Sequence, residues 1–246
     1  MGMRFSNRPE FERSERQEIY DLVERHGRVG YESARRELDM DREMFGHHVA
    51  MLERDGAIER TDGNELRVAF ERSAAEEYEA EGTTFVIRQA RQEDLTGLVG
   101  AIRETTSAAP YAEAETVADV VESEDVLLRH NELATRVFFV ATVDSDVVGW
   151  VHVEGNELSK LDHTAELTVG VMGEYQGRGI GSHLLVRGVG WAAANGYERV
   201  YNSVPATNEA AIEFLRDHDW AVEATREDHY KMKGDYVDEV MLAVEV

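Results

Sequence analysis

The chain predicts an α/β (α+β) protein in two parts, on three observations. Residues 165–171 alternate as a two-faced strand does, Gln176-Gly177-Arg178-Gly179-Ile180-Gly181 follows as a glycine turn, and residues 182–194 keep helical spacing. From Phe85 onward strand-like and helix-like stretches interleave, which predicts a mixed central sheet covered by helices. Residues 1–70 read differently, as three short helices and a hairpin.

Length and composition set the limits. At 246 residues one or two domains are expected, each with room for a core. No run of eighteen or more apolar residues occurs, and the segment from Met1 to Ser6 lacks an apolar signal core, so no membrane contact and a cytoplasmic location are expected. Cysteine is absent, which excludes disulfides, thiolate metal sites and a cysteine nucleophile. The nine histidines show no helical pair spaced for metal, and no metal is expected. Fifty acidic against 26 basic residues give a net charge of −24, and the lysines are Lys160, Lys231 and Lys233 alone. Such a carboxylate-rich surface predicts a protein from a halophilic archaeon, with an ordinary acidic protein and its solvated surface as the alternative. A hydrophobic content of 42% argues against disorder as its cause. Residues 1–70 hold 12 Arg and 16 Asp or Glu, a net of −4, whereas the rest carries −20.

In the first part, residues 14–26 form a helix capped by Ser14, with Ile19, Leu22 and Val23 on one face and Gly27 as its stop. A second helix covers 31–38. A third covers 41–55, with Phe45, Val49 and Leu52 inward and Gly56 after it. Residues 57–60 and 65–70 then pair about a turn at Thr61-Asp62-Gly63-Asn64. This order resembles a winged helix-turn-helix, which implies that the third helix reads a DNA major groove with Arg42, His47, His48 and Arg54. Asp41, Glu43, Glu53 and Asp55 share that helix and oppose phosphate binding, so protein contact or homodimerisation stands beside DNA binding. Residues 71–82 are an acidic linker, either a helical spacer or a solvated one.

The second part starts with a strand at Phe85-Val86-Ile87-Arg88-Gln89-Ala90 and a helix from Asp94 to Glu104. A polar, Ala-rich region with helical pieces covers 105–130. Residues 136–142 and 147–153 pair about Asp144-Ser145-Asp146, and the strand at 165–171 follows. Beyond the glycine turn and its helix come a strand at 200–204, a helix opened by Asn208, and strands at 221–226 and 238–244.

The glycine turn suits a phosphate. A helix starting there offers unpaired N–H groups and the positive end of its dipole, and glycine lets oxygens approach the backbone. A ligand-free turn is the alternative. The turn lacks the Gly-Lys-Ser/Thr of a triphosphate loop and the third glycine of the dinucleotide pattern. Gln176-Gly177-Arg178-Gly179-Ile180-Gly181 instead resembles the Gln/Arg-x-x-Gly-x-Gly/Ala acetyl-CoA loop of the GNAT acetyltransferase superfamily. Asn208-Glu209-Ala210-Ala211 with Asp219-Trp220, and the Phe85 strand with Asp94, resemble its other landmarks, so the likeness spans about residues 83–246. It implies a GNAT acyl-CoA N-acyltransferase fold with acetyl-CoA as co-substrate. It further implies cofactor contacts from Val169, Val171, Gln176, Gly177, Arg178, Gly179, Ile180, Gly181, Ser182 and Asn208, with the Val171 N–H an oxyanion donor.

Acyl transfer to an amine needs a base for the ammonium and a proton for the leaving thiolate. Glu166 sits inside a central strand opposite in sense to Leu167, Val169 and Val171, where a carboxylate needs a wet cleft or a partner. The resemblance makes it the base; a structural ion pair is the alternative. The superfamily's usual tyrosine acid falls at Leu215, which leaves Tyr230, ahead of Tyr236 and Tyr201, or solvent. The segment Gly234-Asp235-Tyr236-Val237-Asp238-Glu239-Val240-Met241 resembles the ends of ribosomal-protein N-terminal and protein-lysine acetyltransferases, which implies a protein or peptide amine as acceptor. An acetyl-CoA-sensing DNA-binding regulator with little turnover stays open, as does an interaction protein with a decayed site.

Overall fold

A computed structural model describes residues 13–54, 57–61, 63–68, 75–125, 127, 129–130, 135–156, 158 and 160–246. The chain divides into two compact units, Met1–Ser73 with Arg129–Leu133, and Ala74–Leu128 with Ala134–Val246.

The first unit holds α1 (Ser14–His26), β1 (Arg28–Gly30), α2 (Tyr31–Glu37), α3 (Arg42–Arg54), β2 (Ile58–Arg60) and β3 (Glu65–Val68). The strands form an antiparallel sheet in the order β1-β3-β2. Ile19, Leu22, Val23, Phe45, Val49, Leu52 and Leu66 close its core, and Gly27 ends α1 at φ 67°. Two caps differ from expectation. Ser14 lies within the first turn of α1, where its hydroxyl meets Glu15 and no backbone N–H. Asp41 caps α3 instead, its Oδ1 accepting the Met44 N–H at 2.7 Å. His48 does not face a groove. At 3% exposure it joins Phe45, Val49 and Leu52 on the buried stripe of α3, since i, i+3, i+4 and i+7 share one face. Gly56, Asp62, Ala69 and Phe70 lie outside the described residues.

The second unit begins with β4 (Glu76–Ala80) and β5 (Thr83–Gln89), followed by α4 (Leu95–Ala108) and α5 (Ala112–Glu124). The chain passes through the short β6 (Arg129–His130), which belongs to the first unit, and the second unit resumes with β7 (Thr135–Val143), β8 (Asp146–Gly155) and β9 (Thr164–Val171). The chain then runs through α6 (Ile180–Ala194), β10 (Arg199–Pro205), α7 (Glu209–Arg216), β11 (Ala221–Met232) and β12 (Asp235–Glu245). The sheet order is β11-β12-β10-β9-β8-β7-β5-β4. Strands β9 and β10 run parallel, joined by α6 as a crossover, and the other neighbours along this order pair antiparallel.

Glu76–Ala80, expected as acidic linker, is thus an edge strand. Its antiparallel bonds to β5 and the stacking of Tyr78 on Phe85 at 5.5 Å offset the poor strand propensity of its glutamates. At the opposite edge, β11 and β12 form one long hairpin where shorter strands were expected. The exposed β11 is broken in register after Val222 and after Arg226, a bulged and charged edge that resists pairing with other chains.

The two faces of β9 separate as the alternation requires. Leu167 packs under α6: a Cβ on Gly188 would come within 2.6 Å of Val151 and 3.0 Å of Leu167, so the helix lies directly on this face. The register puts Glu154 beside Glu166, His152 beside Thr168 and Trp150 beside Gly170 on the other face.

Behind the start of α4, Arg88 grips the Asp94 carboxylate with two bonds of 2.6 and 2.8 Å, and Asp94 also accepts the Arg91 N–H at 2.6 Å. Burial alone would raise the Asp94 pKa, but these bonds outweigh it and hold the carboxyl below its usual value. A folded pKa below the unfolded one adds stability at neutral pH that is lost as acid protonates the group. Asp94→Ala should therefore cost about 3–5 kcal/mol in urea unfolding, because Arg88 is left buried and unpaired. The gap to wild type should narrow below about pH 4.

Candidate active site

The site is built where β9 and β10 part. Their pairing runs from Arg199 opposite Thr164 to Tyr201 opposite Glu166 and then stops, while β10 stays paired with β12 as far as Pro205. The Met172 N–H donates to Val148 O at 2.9 Å, so alternation turns the N–H groups of Val169 and Val171 toward the opposite edge, where β10 has departed. Two strand N–H groups thus border an opening in the sheet. The Val171 carbonyl on the same edge accepts Gln176 Nε2 at 2.9 Å, which ties the glycine turn to the strand end.

Gly177 and Gly179 adopt φ of 73° and 76°, a region costly for other residues, and Gly179 is the N-cap of α6. The first i to i−4 helical bond runs from the His183 N–H to Gly179 O at 3.2 Å, so the N–H groups of Ile180, Gly181 and Ser182 precede the helical ladder. Gly181 serves packing instead: its missing Cβ faces Phe214 at 3.4 Å and Val171 at 3.6 Å. Ile180 is buried beneath the turn. Arg178 is held by the chain itself, donating to Thr83 Oγ1 at 2.7 Å and Glu174 O at 2.9 Å. His218 Nδ1 lies 2.7 Å from Phe214 O, which can only accept, so Nδ1 carries the proton and Nε2 takes the Ser182 hydroxyl at 2.8 Å. Asn208 caps α7 by accepting the Ala211 N–H at 3.3 Å and donates to Pro110 O at 3.2 Å.

Glu166 stands on the last rung before the opening, beside Tyr201. Water reaches its carboxylate, yet the surrounding protein is dense enough that burial raises its pKa, with Glu113 and Glu239 adding to the rise and Arg226 opposing it. Tyr230 shares those neighbours. Its hydroxyl donates to Glu113 Oε1 at 2.9 Å and lies 3.4 Å from Glu239 Oε1, while Arg226 pairs with Glu239 Oε2 at 3.0 Å. Burial first, then Glu113, pushes the phenol far above its ordinary value. Such a phenol is hard to ionise and is a weak proton source for a thiolate. Tyr236, 64% exposed near the hairpin turn, lies under Lys231 at 5.5 Å.

The sequence-based set thus falls into two groups. Val169 and Val171 stand on the β9 edge and residues 176–182 on the glycine turn and the start of α6, with Asn208 apart from them at the start of α7; Glu166 and Tyr230 belong to a carboxylate cluster with Glu113 and Glu239. Sequence reasoning missed Glu113, His218, Tyr111 and Asn202, which meet the site through contacts far apart in the chain and carry no local pattern, and it named Glu239 within the C-terminal segment without a place at the site. Along β9 and β8 beyond Glu166, the buried Thr168 hydroxyl, both His152 nitrogens and Trp150 Nε1 have no hydrogen bond, although His152 Nε2 lies 3.6 Å from Glu154 Oε2. Burial lowers the His152 pKa to about 3, so the ring is neutral. Among the described residues no group of His, Asp or Glu is arranged to hold a metal, and no helix is long and apolar enough to cross a membrane.

Solved structures share this architecture. A GCN5-related N-acetyltransferase from Kribbella flavida superposes with a TM-score of 0.56 at 21% identity, covering 66% of this chain and 98% of that one. A Salmonella typhimurium structure containing its cofactor acetyl-CoA gives 0.54 at 18% identity over 65% and 93%. Ribosomal-protein-alanine N-acetyltransferase from Brucella melitensis gives 0.52 at 20% identity over 65% and 99%. At these identities the likeness establishes the fold. No curated protein sequence matches the chain significantly. The sequence pattern of the acetyltransferase (GNAT) family matches residues 68–220, more than half of the chain, and the chain therefore belongs to that family.

Proposed function

We propose that this protein transfers an acetyl group from acetyl-CoA to a primary amine on a protein or peptide, a lysine or an N-terminus. The observation that carries this reading is the alignment of three features along one strand: Glu166 at the last paired rung, the Val169 and Val171 N–H groups beside the opening, and the glycine turn beyond. Acetyl-CoA, when bound, supplies the acetyl group as an activated thioester. The N–H groups at the start of α6 take its pyrophosphate, and Gln176, Gly177, Gly179, Ile180 and Ser182 shape that cradle. Arg178 acts by bracing the turn, and Asn208 by fixing the start of α7.

Glu166 removes the ammonium proton, directly or through water. Its raised pKa improves it as a base. Glu113 and Glu239 draw the cationic acceptor toward it. With Tyr230 tied to two carboxylates, solvent supplies the thiolate proton. Calorimetry with acetyl-CoA in molar potassium chloride, followed by thiol release with amine-bearing peptides, tests the reading. Absent binding would overturn it; binding with release from peptides and not from small polyamines would support it in full. The buffer follows from the acidic surface, which we ascribe to a halophilic source and a salty cytoplasm.

For the first unit, the helix order and three-stranded sheet support a winged helix. Its arginines favour a protein-contact or homodimerising role over a DNA-binding regulator. Arg35 and Arg42 bond to Glu32, Arg60 to Glu53 and Arg67 to Glu59, so their charge is largely spent within the surface. Acetyl-CoA-dependent retention of duplex DNA at high salt would reverse this preference.

A further inference from the structure

Asn202 lies on β10 one residue beyond the last rung shared with β9. It is 2% exposed; its Oδ1 accepts the Tyr111 hydroxyl at 2.8 Å, and its Nδ2 has no hydrogen bond. Tyr111 immediately precedes α5, and its neighbour Pro110 is held by Asn208 at the start of α7. The Val169 backbone lies close enough to the Tyr111 hydroxyl to oppose the rise in its pKa. The Tyr111–Asn202 pair thus stands near Val169, where β9 and β10 part. An amide N–H left buried without an acceptor is unfavourable, and the residue that carries it stands immediately beyond the last rung, where β9 and β10 part.

We propose that Asn202 Nδ2 donates a hydrogen bond to the carbonyl oxygen of the acyl thioester entering between β9 and β10, with Tyr111 as the positioning residue that fixes the amide. The inference rests on the acetyl-CoA reading above. A carbonyl oxygen has two lone pairs, and donors from two strands flank this gap: the Asn202 amide of β10 and the Val171 N–H of β9. As the acceptor nitrogen bonds to the acyl carbon, negative charge grows on that oxygen. It drains away when the carbon–sulfur bond breaks with its electron pair on sulfur, so the Asn202 bond is strongest between the two events. Tyr111 orients and does not transfer the proton: burial, outweighing Asn202 and Val169, makes its hydroxyl harder to ionise than that of free tyrosine.

The test compares acetyl-CoA with its thioether analogue, in which a methylene replaces the carbonyl, by calorimetry on wild type, Asn202→Ala, Tyr111→Phe and the double variant. Wild type should prefer the thioester, and Asn202→Ala should shrink that preference about fivefold while thioether affinity stays within about twofold. Turnover should fall about 10²-fold in Asn202→Ala. Tyr111→Phe should show a smaller loss in the same direction, with no further loss in the double variant, as expected for a residue acting through Asn202. The bound thioester's carbonyl stretch should move to higher frequency in both single variants. Equal weakening of both ligands by Asn202→Ala, or a Tyr111→Phe loss that adds in full, would overturn the inference alone. Failure of wild type to bind either ligand would overturn the acetyl-CoA reading and this site with it.

Discussion

Glu166→Gln is expected to reduce turnover by about 10²–10³-fold with little change in acetyl-CoA affinity, because it removes the proton acceptor and leaves the phosphate turn intact. The pH profile carries the stronger information. Burial, Glu113 and Glu239 raise the Glu166 pKa, so the acid limb of kcat/KM in wild type should lie above the ordinary glutamate value of about 4.3. In Glu166→Gln that limb should disappear. Stability should move the other way. A group whose folded pKa exceeds its unfolded pKa favours folding in its protonated state and penalises it once ionised. The Gln variant, which never ionises, should melt higher than wild type near neutral pH, and the difference should vanish as acid protonates Glu166. A structural ion pair at this position predicts the reverse stability order. Unchanged turnover with a higher melting temperature would leave Glu166 strained yet catalytically idle.

The second large effect is expected at the turn: Gly179→Glu should weaken acetyl-CoA binding by at least about 10²-fold. Two causes combine there. At φ 76° any side chain adds strain of about 1–2 kcal/mol. The added carboxylate would also sit at the positive end of α6, satisfy the N–H groups meant for a ligand, and repel a pyrophosphate. Space is not the obstacle, since a Cβ there would meet Ala80 at 3.6 Å and His183 at 3.9 Å, ordinary contacts. Gly179→Ala therefore serves as the control. It carries the strain without the charge and should lose roughly tenfold at most. Equal losses in both variants would mean that the turn's shape, and not its electrostatics, holds the ligand.

Much of this site was legible in the sequence because its governing constraints are local. The alternation at 165–171 places Glu166 opposite Leu167, Val169 and Val171, and positive-φ positions demand glycine at 177 and 179. The Asp144-Ser145 turn between β7 and β8 was legible for the same reason, with both residues at positive φ. The remainder depends on contacts that no window of sequence contains. Strand β4 exists because Tyr78 finds Phe85 and because β5 presents a free edge. His48 is an ordinary polar residue until the packing of α3 decides which stripe turns inward. The Tyr111–Asn202 pair joins residues 91 positions apart, and neither lies in a recognisable motif. Glu113 and Glu239 become neighbours of Glu166 only after α5 and β12 have docked.

The edge strand β4 also decides what can be moved between proteins as a working piece. Ala80 is the nearest neighbour of the empty side of Gly179, Glu76 holds Arg187 of α6 at 3.1 Å, and Thr83 anchors Arg178. A gene fusion that begins at residue 83, where the acidic stretch invites a cut, would transplant the turn without its lateral support. The heritable module, the length that recombination must carry intact for the turn to keep its shape, starts before Glu76.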